Sequence, residues 1–244
     1  METDVTGREG WAENRGVRLH YLESGSAGVA HTFLPGTFGY AEDYVPEMAA
    51  LAPRRCVAVS LHGRGRSDVP DTGYAFEDHV ADFAALVEHV GLERFSIMAY
   101  SMAVPWALGY ALLHPARVTA LVLGDYPARY KALSAGWAGR AVKAMPERAN
   151  PAVAQALESD AREVLLWDRL GEIRCPVLIL RGGLPGALVT DDVASIYRQH
   201  LGDVELVTLP DNGRELWKPD FDAYIGAVRG FLERVAPLRP SALA

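Results

Sequence analysis

Short apolar runs alternate with amphipathic stretches along this chain. Residues 17–23 alternate apolar and polar positions after the turn at Arg15-Gly16, which predicts a half-buried strand. Residues 31–34 form a short apolar run stopped by Pro35-Gly36, and residues 56–61 another, stopped at the Gly63/Gly65 cluster. Further runs follow at 95–99, 118–123, 177–180 and 204–209. They are rich in Val, Ile and Leu and mostly apolar on both faces, as parallel strands covered on two sides are. Between them, residues 76–90 place Val80, Phe83, Ala84, Val87 and Val90 on one helical stripe. Residues 102–113 are apolar nearly all round, which predicts a helix buried against the sheet. Residues 191–200 begin with the acids Asp191 and Asp192, favourable at a helix N-terminus, and residues 221–235 give a closing helix. Beyond it Pro237 and Pro240 mark a tail. Strand and helix in alternation predict an α/β fold with right-handed crossovers.

One stretch breaks this rhythm. Between Tyr126 and Cys175 no strand is predicted, while helices are expected at 138–144 and 153–166, with breakers at Pro146 and Pro151. The expected division is a core of residues 1–125 and 173–244 with a helical cap, 126–172, inserted between two strands. Trp137 and Trp167 give the cap apolar weight, and the ordinary use of such residues is to pin it to the body.

Composition narrows the function. Half of the 244 residues are apolar and 23% are charged, which describes a globular chain. A net charge of −7 offers no basic face for nucleic acid. No apolar run approaches the ~20 residues that cross a bilayer, and the polar start, residues 1–10, does not read as a signal peptide. Cys56 and Cys175 are too few for a disulfide scaffold. The expectation is a cytoplasmic enzyme that does not bind membranes. No pair among the seven histidines has metal-ligand spacing backed by a carboxylate, and the Gly63-x-Gly65 and Gly182-Gly183 pairs do not open a helix as a nucleotide fingerprint does. No metal and no cofactor are therefore expected.

The sharpest motif is Ala99-Tyr100-Ser101-Met102-Ala103, placed directly after the strand at 95–99 and before the buried helix. A strand-to-helix turn this tight strains its central residue, and small residues two before and two after relieve the crowding. Ser101 would stand at the helix N-terminus, where the dipole favours developing negative charge. Pro105 falls in the first turn, where a missing N–H costs least. The usual form of the motif is G-x-S-x-G. Here both glycines are alanines, and a serine in this place also serves as a plain helix N-cap.

With these residues in view the chain resembles the α/β-hydrolase superfamily over nearly its whole length. Leu34-Pro35-Gly36-Thr37-Phe38-Gly39 looks like the oxyanion loop after the third strand, with Pro35 where a His often stands. The run from Leu61 to Asp68 (LHGRGRSD) looks like the segment after the fourth strand, with Ser60 in the Asp place and His62 in the Arg place. The run from Leu113 to Val118 (LHPARV) is similar to the lead into the sixth strand, and Arg174-Cys175-Pro176-Val177 to the entry of the seventh. The resemblance implies a mostly parallel eight-stranded sheet flanked by helices, with a short helical cap after the sixth strand. It also implies a serine nucleophile at Ser101 and an oxyanion hole from the backbone N–H groups of Thr37 and Met102.

Two departures matter. The catalytic His of this superfamily should follow the eighth strand, but in Pro210-Asp211-Asn212-Gly213-Arg214-Glu215-Leu216-Trp217-Lys218-Pro219 its place is held by Arg214. An arginine stays protonated and cannot take a proton from Ser101, although it offers a fixed fork of donors to an anion. No acid follows the seventh strand in residues 181–186, so Asp125, in Leu123-Gly124-Asp125-Tyr126-Pro127, is the acid candidate; Asp191 and Asp192 read as helix-cap acids.

Three readings follow. In the first, Ser101 passes an acyl group from a small ester or thioester to an amine, thiol or alcohol. The base is then Asp125, His62, Glu215 or the acceptor itself. Losing the His of a triad costs on the order of 10⁶ in turnover, while the oxyanion hole and binding keep roughly 10³–10⁴ over water. That loss favours transfer over hydrolysis. A carrier-protein thioester from a biosynthetic pathway would be a donor of this kind, making an acyl carrier protein a partner. In the second reading Arg214 clamps a substrate carboxylate or enolate and Asp125 is a general base, as in a lyase, isomerase or cyclase. In the third, Arg214 and Asp125 form an ion pair that closes a silent ligand-binding site. Phe38, Tyr100, Trp137 and Trp217 are expected to line the pocket and suit a planar aromatic acyl group.

Overall fold

The computed structural model describes residues 7–238, so Pro240 and residues 1–6 lie outside it. Eight strands form one sheet in the order β1-β2-β4-β3-β5-β6-β9-β10. They are β1 (Arg8–Asn14), β2 (Val17–Ser24), β3 (Ala27–Leu34), β4 (Arg54–Val59), β5 (Phe95–Tyr100), β6 (Val118–Gly124), β9 (Val177–Gly182) and β10 (Val204–Leu209). β1 and β2 pair antiparallel, as do β2 and β4, and every other neighbouring pair is parallel.

Period-two alternation sends the strand side chains to two cores. Ile97, Ala99, Leu121, Leu123 and Ile179 face one layer, packed under α2 (Phe76–His89), α3 (Ala103–Leu113) and α6 (Asp191–His200). Met98, Val122, Leu178 and Leu180 face the other, under α1 (Val45–Ala50) and α7 (Phe221–Val235). Parallel register then sets Leu34 beside Ala99, Tyr100 beside Gly124, and Gly124 beside Leu180. The loops that follow β3, β5, β6 and β9 therefore leave from one edge of the sheet.

The structure corrects several sequence-based boundaries. β1 was not predicted: Trp11 is the one large apolar residue in a strand whose outer positions are polar. Between β6 and β9 the expectation of no strand fails. Two-residue strands β7 (Arg129–Tyr130) and β8 (Val164–Leu165) pair antiparallel there. The same segment carries α4 (Trp137–Ala144), α5 (Pro151–Asp160) and a 3-10 helix at Trp167–Glu172. The helix expected at 153–166 is shorter because Ala161 leaves the helical region (ψ 121°). The Asp160 carboxylate there accepts the backbone N–H of Tyr74 at 3.0 Å, and the chain pairs with β7 instead of continuing the apolar stripe. A 3-10 turn at Ala41–Tyr44 and the short α1 were also unpredicted.

Candidate active site

β5 ends at Tyr100 and α3 begins at Ala103, so Ser101 must turn the chain within one residue. It does so with φ 55°, in the left-handed region that a non-glycine residue adopts at a cost. Ala99 and Ala103, two residues to either side, are fully buried. The loop after β3 comes in so closely that a Cβ on Gly36 would sit 3.2 Å from the Ser101 Cβ and 3.3 Å from the Tyr100 carbonyl. Glycine at that position is a requirement of the approach.

This closeness brings Thr37 against Met102. The Thr37 hydroxyl donates to the Met102 sulfur at 3.7 Å. Among the described residues the backbone N–H groups of Thr37 and Met102 donate to no carbonyl or side chain. The Thr37 carbonyl is held from behind by Arg64, whose Nε donates to it at 2.9 Å. Arg64 is itself buried, and burial lowers its pKa to about 10.

Arg214 reaches Ser101 directly. Its Nη2 donates to Ser101 Oγ at 2.5 Å, while Nη1 lies 3.9 Å from Asp125 Oδ2. Tyr100 steadies this loop by donating its hydroxyl to the Arg214 carbonyl at 2.8 Å. The order Ser101, Arg214, Asp125 is thus that of a triad with a guanidinium in the centre. Asp125 is fully buried and also strained, with φ 45°. Its Oδ1 accepts from Leu188 N at 2.9 Å and Val189 N at 3.0 Å. Burial raises its pKa, against those N–H bonds and the charge of Arg214.

The other base candidates stand elsewhere. His62 Nδ1 bonds Asp82 on α2, and its ring packs on Tyr74 and His79 with centroids 4.4 and 4.9 Å apart. A buried carboxylate twenty positions along the chain, invisible as a local pattern, thus ties it into the core and not to Ser101. Glu215 lies in the cavity wall but pairs with Lys218 at 3.1 Å. Among the described residues no imidazole or carboxylate lies within hydrogen-bonding distance of Ser101 Oγ.

The cavity over Ser101 has a volume of about 560 Å³. Phe38, Tyr100 and Trp217 line it, with Trp217 edge-on to Tyr100 at 5.0 Å. Trp137 does not: it stacks behind Phe38 at 5.9 Å, where it fastens α4 to the loop. Trp167 packs edge-on against Tyr197 of α6 at 5.0 Å. Sequence reasoning missed Asp43, Tyr44 and Glu47 in the wall, as well as Arg148 from the cap. Arg148 grips Asp43 through two bonds of 2.7 Å. The signal available was a pair of acids at i, i+4 spacing, Asp43 and Glu47, just beyond the oxyanion loop.

Comparison with known proteins agrees with this architecture. A family model described as the alpha/beta hydrolase fold matches residues 32–162. Over 273 aligned residues the chain is 24% identical to N-formylmaleamate deformylase of Pseudomonas putida, covering 96% of this chain and 98% of that one. It is 30% identical over 111 residues to a putative 2-succinyl-6-hydroxy-2,4-cyclohexadiene-1-carboxylate synthase of Bacillus subtilis, covering 44% of this chain and 40% of that one. Among solved structures, an esterase from Thermogutta terrifontis superposes with a TM-score of 0.80 at 19% identity, covering 93% of this chain and 99% of that one.

Proposed function

The chain belongs to the alpha/beta hydrolase fold family, and from that premise we propose that it performs serine-dependent acyl transfer from a small, activated ester or thioester. The observation that carries this reading is the setting of Ser101 Oγ. Arg214 places a permanent cation on it, among the described residues no imidazole or carboxylate reaches it, and the N–H groups of Thr37 and Met102 donate to no other described group. The donor's carbonyl oxygen accepts from those two N–H groups. Oγ attacks the carbonyl carbon, the Oγ–C bond forms, the C–S or C–O bond breaks, and the serine proton leaves on the departing thiol or alcohol. Arg214 stabilises negative charge on Oγ as it develops. A thiolate is a good leaving group and needs little help, which suits a site without imidazole. Water is poorly activated here, so an acceptor amine, thiol or alcohol competes well. The aromatic wall of Phe38, Tyr100 and Trp217 suits a planar acyl group, and a carrier-protein thioester remains a fitting donor.

Intact mass spectrometry after incubation with an activated aryl ester tests this. The wild type should gain one acyl mass and Ser101→Ala none. No adduct with aryl esters or thioesters would end the reading.

One observation favours a second reading. Arg214 donates to Ser101 Oγ, and the N–H groups of Thr37 and Met102 donate to no carbonyl or side chain among the described residues; free donors and a guanidinium also suit a carboxylate or enolate. A lyase, isomerase or cyclase could use them. Asp125 cannot be its general base, since it is fully buried and bonded to Leu188 and Val189. Full activity of Ser101→Ala on a turned-over substrate would favour this alternative.

A further inference from the structure

The wall of the cavity over Ser101 comes from two parts of the molecule. The core supplies most of it, including residues 35–39 and Asp43, and the cap supplies Met145 and Arg148. Arg148 lies in the connection between α4 and α5, a tight turn in which the N–H groups of Arg148 and Ala149 both donate to the Met145 carbonyl, at 3.1 and 2.8 Å. From this turn the side chain crosses to the core. Its Nη1 and Nη2 donate to the two oxygens of Asp43, each at 2.7 Å, and its guanidinium lies 4.8 Å over the Tyr40 ring. Among the described residues no other hydrogen bond joins the cap to residues 35–47.

Two features suit this bridge to parting and reforming. Both ends are partly exposed, 43% for Arg148 and 27% for Asp43, so water and salt compete for it. Asp43 also has a second anchor: its Oδ2 accepts the Tyr40 backbone N–H at 3.1 Å, so the turn at Ala41–Tyr44 keeps that bond when Arg148 lets go.

We propose that the Arg148–Asp43 pair sets which acyl donors reach Ser101, a role resting on the acyl-transfer reading above. A small donor acylates Ser101 with the pair closed. A donor whose acyl group or leaving group extends toward the cap meets the bridge, must part it, and carries that cost in its rate. The pair determines specificity and takes no part in making or breaking bonds. An exposed pair contributes little, so the discrimination is modest, about 2- to 5-fold.

The test uses uncharged acyl donors, so that the screening of charge by salt acts on the protein alone. In one series the benzoyl group is constant and the thiol lengthens from N-acetylcysteamine to pantetheine. In the other the leaving group is always 4-nitrophenol and the acyl group lengthens from acetyl to 4-phenylbenzoyl. Acylation is followed by intact mass spectrometry, and the quantity read is the rate of the long donor over that of the short one. In the wild type at least one of the two ratios should rise about 2- to 5-fold between low salt and about 0.5 M NaCl. Arg148→Ala should start at the higher ratio and respond little to salt. Asp43→Asn, which keeps an acceptor for the Tyr40 N–H, should do the same and carries the test if Arg148→Ala fails to fold. Arg148→Lys keeps a charge without the fork and should fall between. Trp137→Ala loosens the cap without removing either charge, so it should keep the salt response. Loss of that response in Trp137→Ala would assign the effect to the seating of the cap as a whole and overturn the role of the pair. Ratios in both series that neither salt nor the two charge-removing variants move would overturn it as well. Absence of any adduct from the short donors in the wild type would overturn the acyl reading and, with it, this role.

Discussion

A guanidinium bonded to a serine oxygen acts on it in two opposing ways. It lowers the energy of the alkoxide, and it occupies a lone pair while accepting no proton. Arg214→His tests that balance. An imidazole reaching between Ser101 and Asp125 should raise aryl-ester hydrolysis by about 10²-fold or more, with an inflection near the ordinary histidine pKa of about 6.5, as followed by product absorbance. An unchanged rate would show that this position does not serve the serine. Glu47 gives a second prediction, in stability. Its carboxyl keeps its proton in the folded state up to about pH 7, against a reference value of 4.5 for the unfolded chain. The folded state thus binds more protons between those values, so stability falls as pH rises from about 4.5 to 7, by on the order of 3 kcal/mol. Denaturant unfolding at pH 5 and pH 8 should show this fall in the wild type and not in Glu47→Gln. Arg214 was legible in the sequence because its frame, from Pro210 to Pro219, is local. The engagement of His62 with Asp82 and the cavity position of Glu47 were not, since both depend on contacts between separate elements.

At the scale of elements, the β5–Ser101–α3 turn stores strain at the edge of the cavity. Ser101→Gly removes the Cβ that makes φ 55° unfavourable, so it should stabilise the fold by about 1 kcal/mol relative to Ser101→Ala. Denaturant midpoints of the two variants measure this directly, and equal midpoints would mean that the turn is unstrained. The central strands were legible because burial on both faces leaves continuous apolar runs. An edge strand such as β1 buries little, so its pattern carries little information. α5 shows the opposite failure: its apolar stripe runs on past Asp160 while a bond to Tyr74 and pairing with β7 turn the backbone away.

Across the whole molecule, the cap is fastened to the core by unlike contacts. Arg148 bridges from the cap to Asp43, with both side chains partly exposed, and Trp137 stacks on Phe38. Exposed pairs contribute little, so Arg148→Ala should cost under about 1 kcal/mol in global unfolding. Hydrogen exchange over residues 137–160 should nevertheless quicken in that variant, and more so in Trp137→Ala. Unaltered exchange in both would show that the cap is held by other contacts. The architecture was legible from the order of its strands and helices; how the cap seats was not, because that depends on which faces meet. A last consequence concerns mutational distance. Asp125 is held by the N–H groups of Leu188 and Val189, and neither bond involves the side chain at 214. Two of the six arginine codons become histidine codons by one base change. Encoded by either of those, this site stands one nucleotide from one with an imidazole between its serine and its acid, and random mutagenesis of such a gene under selection for ester cleavage should find that substitution early.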